Sequence, residues 1–173
     1  MISGNIFLVG PMGAGKSTVG RQLAKVLKRS FYDSDREIEK RTGVSISWIF
    51  EMEGEQGFRE REKKVIAELT CLKNIVLATG GGAILADENR RALRAQGHVV
   101  YLAASEEQLL KRTSKDKNRP LLQTEDPKKK IIELLEKRDP LYQNVADVVL
   151  RTGEQSIQHT VSMVIKQLEE LGK

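Results

Sequence analysis

The sequence predicts an α/β fold, a five-stranded parallel sheet flanked by helices. Three observations predict it. Short apolar runs alternate with segments of helical period, with no internal repeat, along 173 residues. The run Ile75-Val76-Leu77-Ala78 is apolar throughout, as a strand covered on both faces must be. The first run, Asn5-Ile6-Phe7-Leu8-Val9, leads directly into Gly10-Pro11-Met12-Gly13-Ala14-Gly15-Lys16-Ser17-Thr18, which fills the pattern G-x-x-x-x-G-K-[ST] with Gly10, Gly15, Lys16 and Ser17. Strand, glycine-rich loop and helix in that order read as the phosphate site of a P-loop NTPase, and with five strands alternating with helices the architecture expected is nucleoside monophosphate kinase-like, one domain over residues 1–173.

The elements follow in order. Val19, Leu23, Val26 and Leu27 share a face, so 19–28 reads as a helix with Arg21, Gln22, Lys25 and Lys28 outside. Residues 30–35 read as a short strand ending in Asp33 and Asp35, and a helix from Arg36 carries Ile38 inward. Thr42-Gly43 closes it. Ser45 offers a cap to the short apolar segment 46–50, in which Trp48 is expected in the core. After Gly54 a long helix places Val65, Ile66 and Leu69 inside, and 74–78 is a strand ending in Thr79-Gly80-Gly81-Gly82. A helix over 87–96 stops at Gly97, 98–102 is a strand, and Ser105 caps a helix to Arg112. Residues 113–127 lose all periodicity and read as a mobile lid. A helix over 128–138 is broken by Asp139-Pro140-Leu141-Tyr142, 146–150 is the last strand, and 155–171 the last helix.

Composition excludes several classes. Charged residues make up 31% and hydrophobic ones 39%, and no apolar run approaches the roughly 20 residues that span a bilayer. The first strand begins within a few residues of Met1, which predicts a cytoplasmic chain without a leader. Cys71 is single and expected half-buried, and His98 and His159 read as structural. A net charge of +5 admits nucleic acid, but aromatics are only 5% and do not interleave with basic residues, so phosphates explain the balance better. Charge patterning leaves a monomer as the default.

The loop explains its own residues. Glycines let the backbone bend around a polyphosphate and turn N–H groups inward; Lys16 reaches the β- and γ-phosphates; the Ser17 hydroxyl can ligate the Mg2+ that travels with the nucleotide. GTPase signatures are missing: the strand ending at Ala78 carries no acid, and there is no N-K-x-D. Asp33 is therefore the candidate to help Ser17 hold the metal. Two apart on a strand, Asp33 and Asp35 would share a face, one near the metal and one near an acceptor hydroxyl, where it would align the nucleophile or take its proton. Arg59 and Glu62, three apart on a helix, can pair and fix the guanidinium as a carboxylate reader; Arg138, at a helix end, is a second such fork. Gly80, Gly81 and Gly82 permit close approach of a ligand and offer N–H donors. Arg119 in the lid could neutralise charge on the γ-phosphate.

Taken together, Gly10 to Thr18, Asp33-Ser34-Asp35, Gly57-Phe58-Arg59-Glu60-Arg61-Glu62, Thr79-Gly80-Gly81-Gly82, Arg119-Pro120-Leu121-Leu122 and Arg138-Asp139-Pro140-Leu141-Tyr142 resemble shikimate kinase along nearly the whole chain. The resemblance implies transfer of the γ-phosphate of ATP to the 3-hydroxyl of shikimate, in the route to aromatic amino acids. It implies that Asp35, Lys16 and Arg119 are catalytic. Shikimate would be bound by Asp35, Arg59, Arg138 and the backbone of Gly80, Gly81 and Gly82, within an acceptor segment at about 34–62. ATP would lie along Gly13, Ala14, Gly15, Lys16, Ser17 and Thr18, with Arg119 over its phosphates and Arg112 and Gln155 near the adenine. Magnesium would take Ser17 directly and Asp33 through water. The segment Arg151 to Gln155, which corresponds to the adenine-contacting loop, varies in such enzymes, so of these assignments that of Gln155 rests least on a fixed motif. The alternatives are another small-molecule kinase of the same architecture, such as a gluconate kinase, and a nucleotide-binding module without turnover; the paired arginines and Asp35 argue against each in turn.

Overall fold

The computed structural model describes residues 1–113 and 125–172. Strands β1 (Asn5–Val9), β2 (Ser30–Asp33), β3 (Ile75–Ala78), β4 (Gly97–Ala103) and β5 (Val148–Arg151) form one parallel sheet in the order β2-β3-β1-β4-β5. Phe7 lies opposite both Leu77 and Val99, which places β1 at the centre. Its side chains alternate: Ile6 and Leu8 enter one apolar cluster, Phe7 and Val9 the other. Helices α1 (Lys16–Leu27) and α7 (Ile157–Leu171) cover the first face with Leu23, Val164 and Leu168. Helices α3 (Ile46–Thr70) and α4 (Asp87–Gln96) cover the second with Val65, Leu69 and Leu93. α2 (Ser34–Thr42) adds Ile38 to the second cluster, α5 (Glu106–Thr113) adds Leu109 to the first, and α6 (Pro127–Val145) contributes Ile131 to the first and Tyr142 to the second. With every strand parallel, the loops after β1, β2 and β3 gather on one rim, where ligands of such sheets bind.

Buried polar groups mark the joints. Asn5, 4% exposed, donates through Nδ2 to the carbonyls of Thr70 (3.3 Å) and Leu72 (2.7 Å) and accepts at Oδ1 from the Ile75 N–H (3.1 Å). It ties the end of α3 to the start of β3. At the other end of β3, Thr79 ties the chain to β1, its N–H and hydroxyl both donating to the Leu8 carbonyl.

Several expectations are corrected by the structure. The second strand stops at Asp33, because the Asp33 carboxylate caps α2 by accepting from the N–H groups of Asp35 (3.0 Å) and Arg36 (3.2 Å). Asp33 and Asp35 therefore do not share a strand face; one is the cap and the other lies in the first helical turn. Asn74 adopts a left-handed conformation (φ 56°), so β3 starts only at Ile75. The segment 46–50 is the first turn of α3, which bends at Gly54 (φ 72°, ψ 179°), a conformation reserved for glycine. Ser45 caps the Trp48 N–H and sets the helix register, so Ile49 takes the buried place and Trp48 is 45% exposed. Val26 is likewise exposed, its place against the core taken by half-buried Leu27. Cys71, in the turn after α3, is exposed rather than half-buried.

Pro140 does not end its helix. α6 runs on to Val145, with Arg138 and Tyr142, four apart, both buried on its inner face. A proline inside a helix costs about 3 kcal/mol through its missing N–H and its ring. Here it faces solvent, where water can satisfy the carbonyl it leaves, and burial on the opposite face holds the turn together. Arg138 is thus a mid-helix residue, not a terminal one. The last strand begins at Val148 and the last helix at Ile157, capped by Ser156. The lid expected over 113–127, with Arg119, lies mostly outside the described residues.

Candidate functional site

The loop after β1 is shaped by three glycines of positive φ, Gly10 (147°), Gly13 (84°) and Gly15 (92°). A side chain at Gly10 would begin 2.5 Å from the Leu102 carbonyl oxygen, so the loop crosses β4 where only glycine fits. Lys16 is 8% exposed, and its Nζ donates to the carbonyls of Gly10 (2.7 Å) and Pro11 (2.8 Å), holding the ammonium inside the loop. Gly15 supplies no side-chain cap to α1, whose first N–H groups face the loop. The Ser17 hydroxyl donates to Asp33 Oδ2. A cleft of about 540 Å³ joins Lys16, Ser17, Asp33, Asp35 and Gly81.

Around Gly80 to Gly82, the first two of which line this cleft, four elements converge. Asp35 comes from the first turn of α2, Arg59 and Glu62 from α3 beyond its bend, Gly80 to Gly82 from the end of β3, and Arg138 from α6. Glu62, 1% exposed, accepts from Arg59 Nη1 at 2.9 Å, and Glu55 receives a second bond from Arg59 Nη2 at 3.2 Å. The pairing expected from the spacing of Arg59 and Glu62 is present. Positions where side chains would start on the glycines measure the crowding: at Gly80 the point lies 2.7 Å from Asp35 Oδ1 and 2.9 Å from Glu62 Oε2, at Gly81 3.6 Å from Arg138 Nη1, and at Gly82 2.2 Å from Arg59 Nη2. The Gly80 N–H donates to the buried Ser34 hydroxyl at 2.9 Å, which corrects the expectation that all three donors stand ready.

Two residues without a role assigned from sequence hold this triplet. Ser34 is one. The other is Tyr142, fully buried, whose hydroxyl donates to the Gly81 carbonyl and whose ring packs on Tyr101 at 4.8 Å. The Tyr101 hydroxyl donates to Asp139 Oδ1 (2.7 Å). Burial pushes the Tyr142 phenol up to about 12, so it remains a donor. A four-residue spacing from Arg138 is the signal that could have found it, had the helix been extended through Pro140.

Burial also raises the Glu62 carboxyl to about 7, and Asp35 pushes the same way, against the opposing pull of Arg59 and Arg138. A folded-state value above the unfolded one means that the folded chain holds the extra proton between about 4.5 and 7. Stability from this group is complete below the unfolded value and is lost as pH rises through 7, a loss on the order of 3 kcal/mol. Denaturant melts at pH 5 and 8 should show that decline in the wild type and a flatter profile in Glu62→Gln.

On the other flank, Arg112 donates to the carbonyls of Gly13 (3.1 Å) and Gly153 (3.2 Å). A hollow of about 270 Å³ lies there, lined by Gly15, Thr18, Arg112, Gly153 and Gln155. Gln155 Nε2 donates to the Arg151 carbonyl at 3.1 Å. Among the described residues no helix is long and apolar enough to cross a membrane, and no group of three or more His, Cys, Asp or Glu side chains could hold a metal.

Comparison with known proteins gives one consistent answer. The family model described as shikimate kinase matches residues 12–169. Shikimate kinase of Nitrosococcus oceani is 60% identical over 170 residues, covering 98% of this chain and 90% of that protein. The structure of shikimate kinase from Acinetobacter baumannii in complex with shikimate superposes with a TM-score of 0.96 at 52% identity, covering 97% of this chain and 94% of that one. A gluconokinase from Sinorhizobium meliloti, at 18% identity and a TM-score of 0.60 over 98% of this chain and 94% of its own, shares the fold alone.

Proposed function

The chain belongs to the shikimate kinase family, and from that premise we propose how its residues divide the work of moving the γ-phosphate of ATP to the 3-hydroxyl of shikimate. One observation carries the division. A buried carboxylate and two arginine forks surround a glycine triplet whose first two residues line the same cleft as Lys16 and Ser17 of the phosphate loop. ATP lies along Gly13 to Thr18, its phosphates on the N–H groups of the loop and α1, with the Lys16 ammonium turning from its two loop carbonyls to the β- and γ-oxygens. Its adenine occupies the hollow beside Arg112 and Gln155. Arg119, outside the described residues, completes the set over the γ-phosphate.

Shikimate is a cyclic acid, so its carboxylate needs a fork. Arg59 and Arg138 supply two, and their planar geometry reads both oxygens. The ring lies on the triplet, where the N–H groups of Gly81 and Gly82 are the remaining donors. Asp35 receives the hydrogen bond of the 3-hydroxyl, aligns its oxygen on the γ-phosphorus and accepts its proton at the carboxylate as the new P–O bond forms.

Magnesium fits the donor set present. A hydroxyl and one carboxylate in mutual contact, Ser17 and Asp33, are hard oxygen ligands too few to bind a metal alone, which suits an ion that keeps waters and takes the rest of its shell from phosphates. When bound, it would neutralise charge on the β- and γ-phosphates. Asp33 would be turned toward it by its capping bonds to Asp35 and Arg36.

A coupled ADP-release assay across shikimate, quinate, gluconate and a nucleoside monophosphate tests the reading: activity should require shikimate, and activity only with another acceptor would overturn it. Gly82→Ala gives a sharper expected result. Its backbone (φ −95°, ψ 4°) accepts alanine, but the methyl group would occupy the Arg59 guanidinium position. The KM for shikimate should rise about tenfold or more while the KM for ATP stays put, the cost of a misplaced fork being about 1.4 kcal/mol or more. Steady-state kinetics with each substrate varied checks it.

A further inference from the structure

Glu62 has a place in this site that orienting Arg59 does not exhaust. It is 1% exposed; Oε1 bonds Arg59, whereas Oε2 has no hydrogen-bond partner among the described residues and lies in the space over Gly80. Asp35 Oδ1 points into the same space, so two carboxylate oxygens lie within 3 Å of one point. The groups facing Glu62 are Arg59, itself bonded to Glu55, on its own helix, Asp35 on α2, and Arg138 and Tyr142 on α6. Among the described residues, and apart from the half-exposed Glu55 at the rim, two arginines thus face two carboxylates before any ligand arrives. An acceptor that brings a third carboxylate onto the same two forks gives the cluster an excess negative charge in a space it also closes to water. Something in the cluster must then take up a positive charge. Arginines are already protonated, and the Tyr142 phenol is already neutral, so a carboxyl is the group that can do so.

We propose that Glu62 is the proton acceptor of the acceptor site: binding of the shikimate carboxylate at Arg59 and Arg138 draws one proton from solvent onto Glu62 Oε2. The balance is simple: a carboxylate and a solvent proton become a carboxylic acid, with no other bond made or broken. The protonated Oε2 then becomes a donor toward Asp35, which turns two repelling carboxylates into a hydrogen-bonded pair and leaves Asp35 charged for its own task. Because the ionised form of Glu62 is already disfavoured by burial, the uptake lies near neutral pH. The inference rests on the assignment of shikimate to this site. It makes acceptor affinity fall with rising pH, although shikimate itself stays ionised.

Calorimetric titration of the enzyme with shikimate, in buffers of different ionisation enthalpy, counts the protons directly. About half a proton should be taken up at pH 7, more at pH 8, and close to none at pH 5.5, where Glu62 already carries it. In E62Q the buffer dependence should vanish. An infrared band of a protonated carboxyl should grow on binding in the wild type and not in E62Q. Binding with no buffer dependence at any pH, proton release, or the same uptake in E62Q would each overturn the role of Glu62. Should E62Q bind too weakly to titrate, the wild-type profile decides: uptake that disappears by pH 5.5 supports the proposal, and a flat profile refutes it. Failure of shikimate to bind at all would instead remove the substrate assignment on which the inference stands.

Discussion

Asp35→Asn is expected to lower kcat by about 10²- to 10⁴-fold, the contribution of a positioned general base, with nucleotide affinity unchanged. The isosteric amide keeps the volume of Asp35 in the first turn of α2 and leaves the Asp33 cap intact, because Asp33 bonds the backbone N–H of position 35 and not its side chain. It removes the basic oxygen and the charge. The phosphate loop lies on other elements, β1 and α1, so it has no reason to change. Single-turnover kinetics with a fluorescent nucleotide titration separates the two effects. Normal turnover in the variant would remove Asp35 from the chemistry.

Arg59→Ala is expected to cost on the order of 2–4 kcal/mol in shikimate affinity, roughly 30- to 1,000-fold, because a buried charge-assisted fork is lost rather than a surface ion pair. Arg59 is largely enclosed, with Glu62 and Glu55 as partners and Phe58 under its guanidinium at 5.2 Å. Removing it also strips Glu62 of its bonded counter-charge, which pushes that carboxyl further up and keeps it neutral, so the fold should survive. Arg59→Lys keeps the charge without the planar fork and should recover only part of the loss. Calorimetry with shikimate and separately with a nucleotide analogue checks both; unchanged acceptor affinity in the alanine variant would refute the assignment.

Much of the fold was legible because its signals are strong and local. A continuous apolar run followed by a glycine-rich loop leaves β1 and the start of α1 little choice, and parallel pairing follows from the alternation of elements. What escaped were places where tertiary burial overrides a local breaker or a local cap overrides a strand. Pro140 reads as a stop, yet burial of Arg138 and Tyr142 carries α6 past it. Asp35 reads as a strand residue, yet the Asp33 carboxylate satisfies the N–H groups of Asp35 and Arg36 and ends the strand before it. The Arg59–Glu62 pair was visible as helical spacing, whereas Ser34 and Tyr142 act by touching glycine backbone from elements distant in sequence. No periodicity announces such contacts.

The order of the strands has a consequence for how the molecule comes apart. β1 is paired on both sides, whereas β2 pairs with β3 alone and bears the carboxylate that touches Ser17. Amides of β1 should exchange with solvent only through global unfolding, while β2 and the start of α2 fray in smaller, more frequent openings. Each such opening carries away Asp33 and Asp35 and leaves the phosphate loop standing. A chain opened in this way still grips a polyphosphate and has lost the means to deliver it.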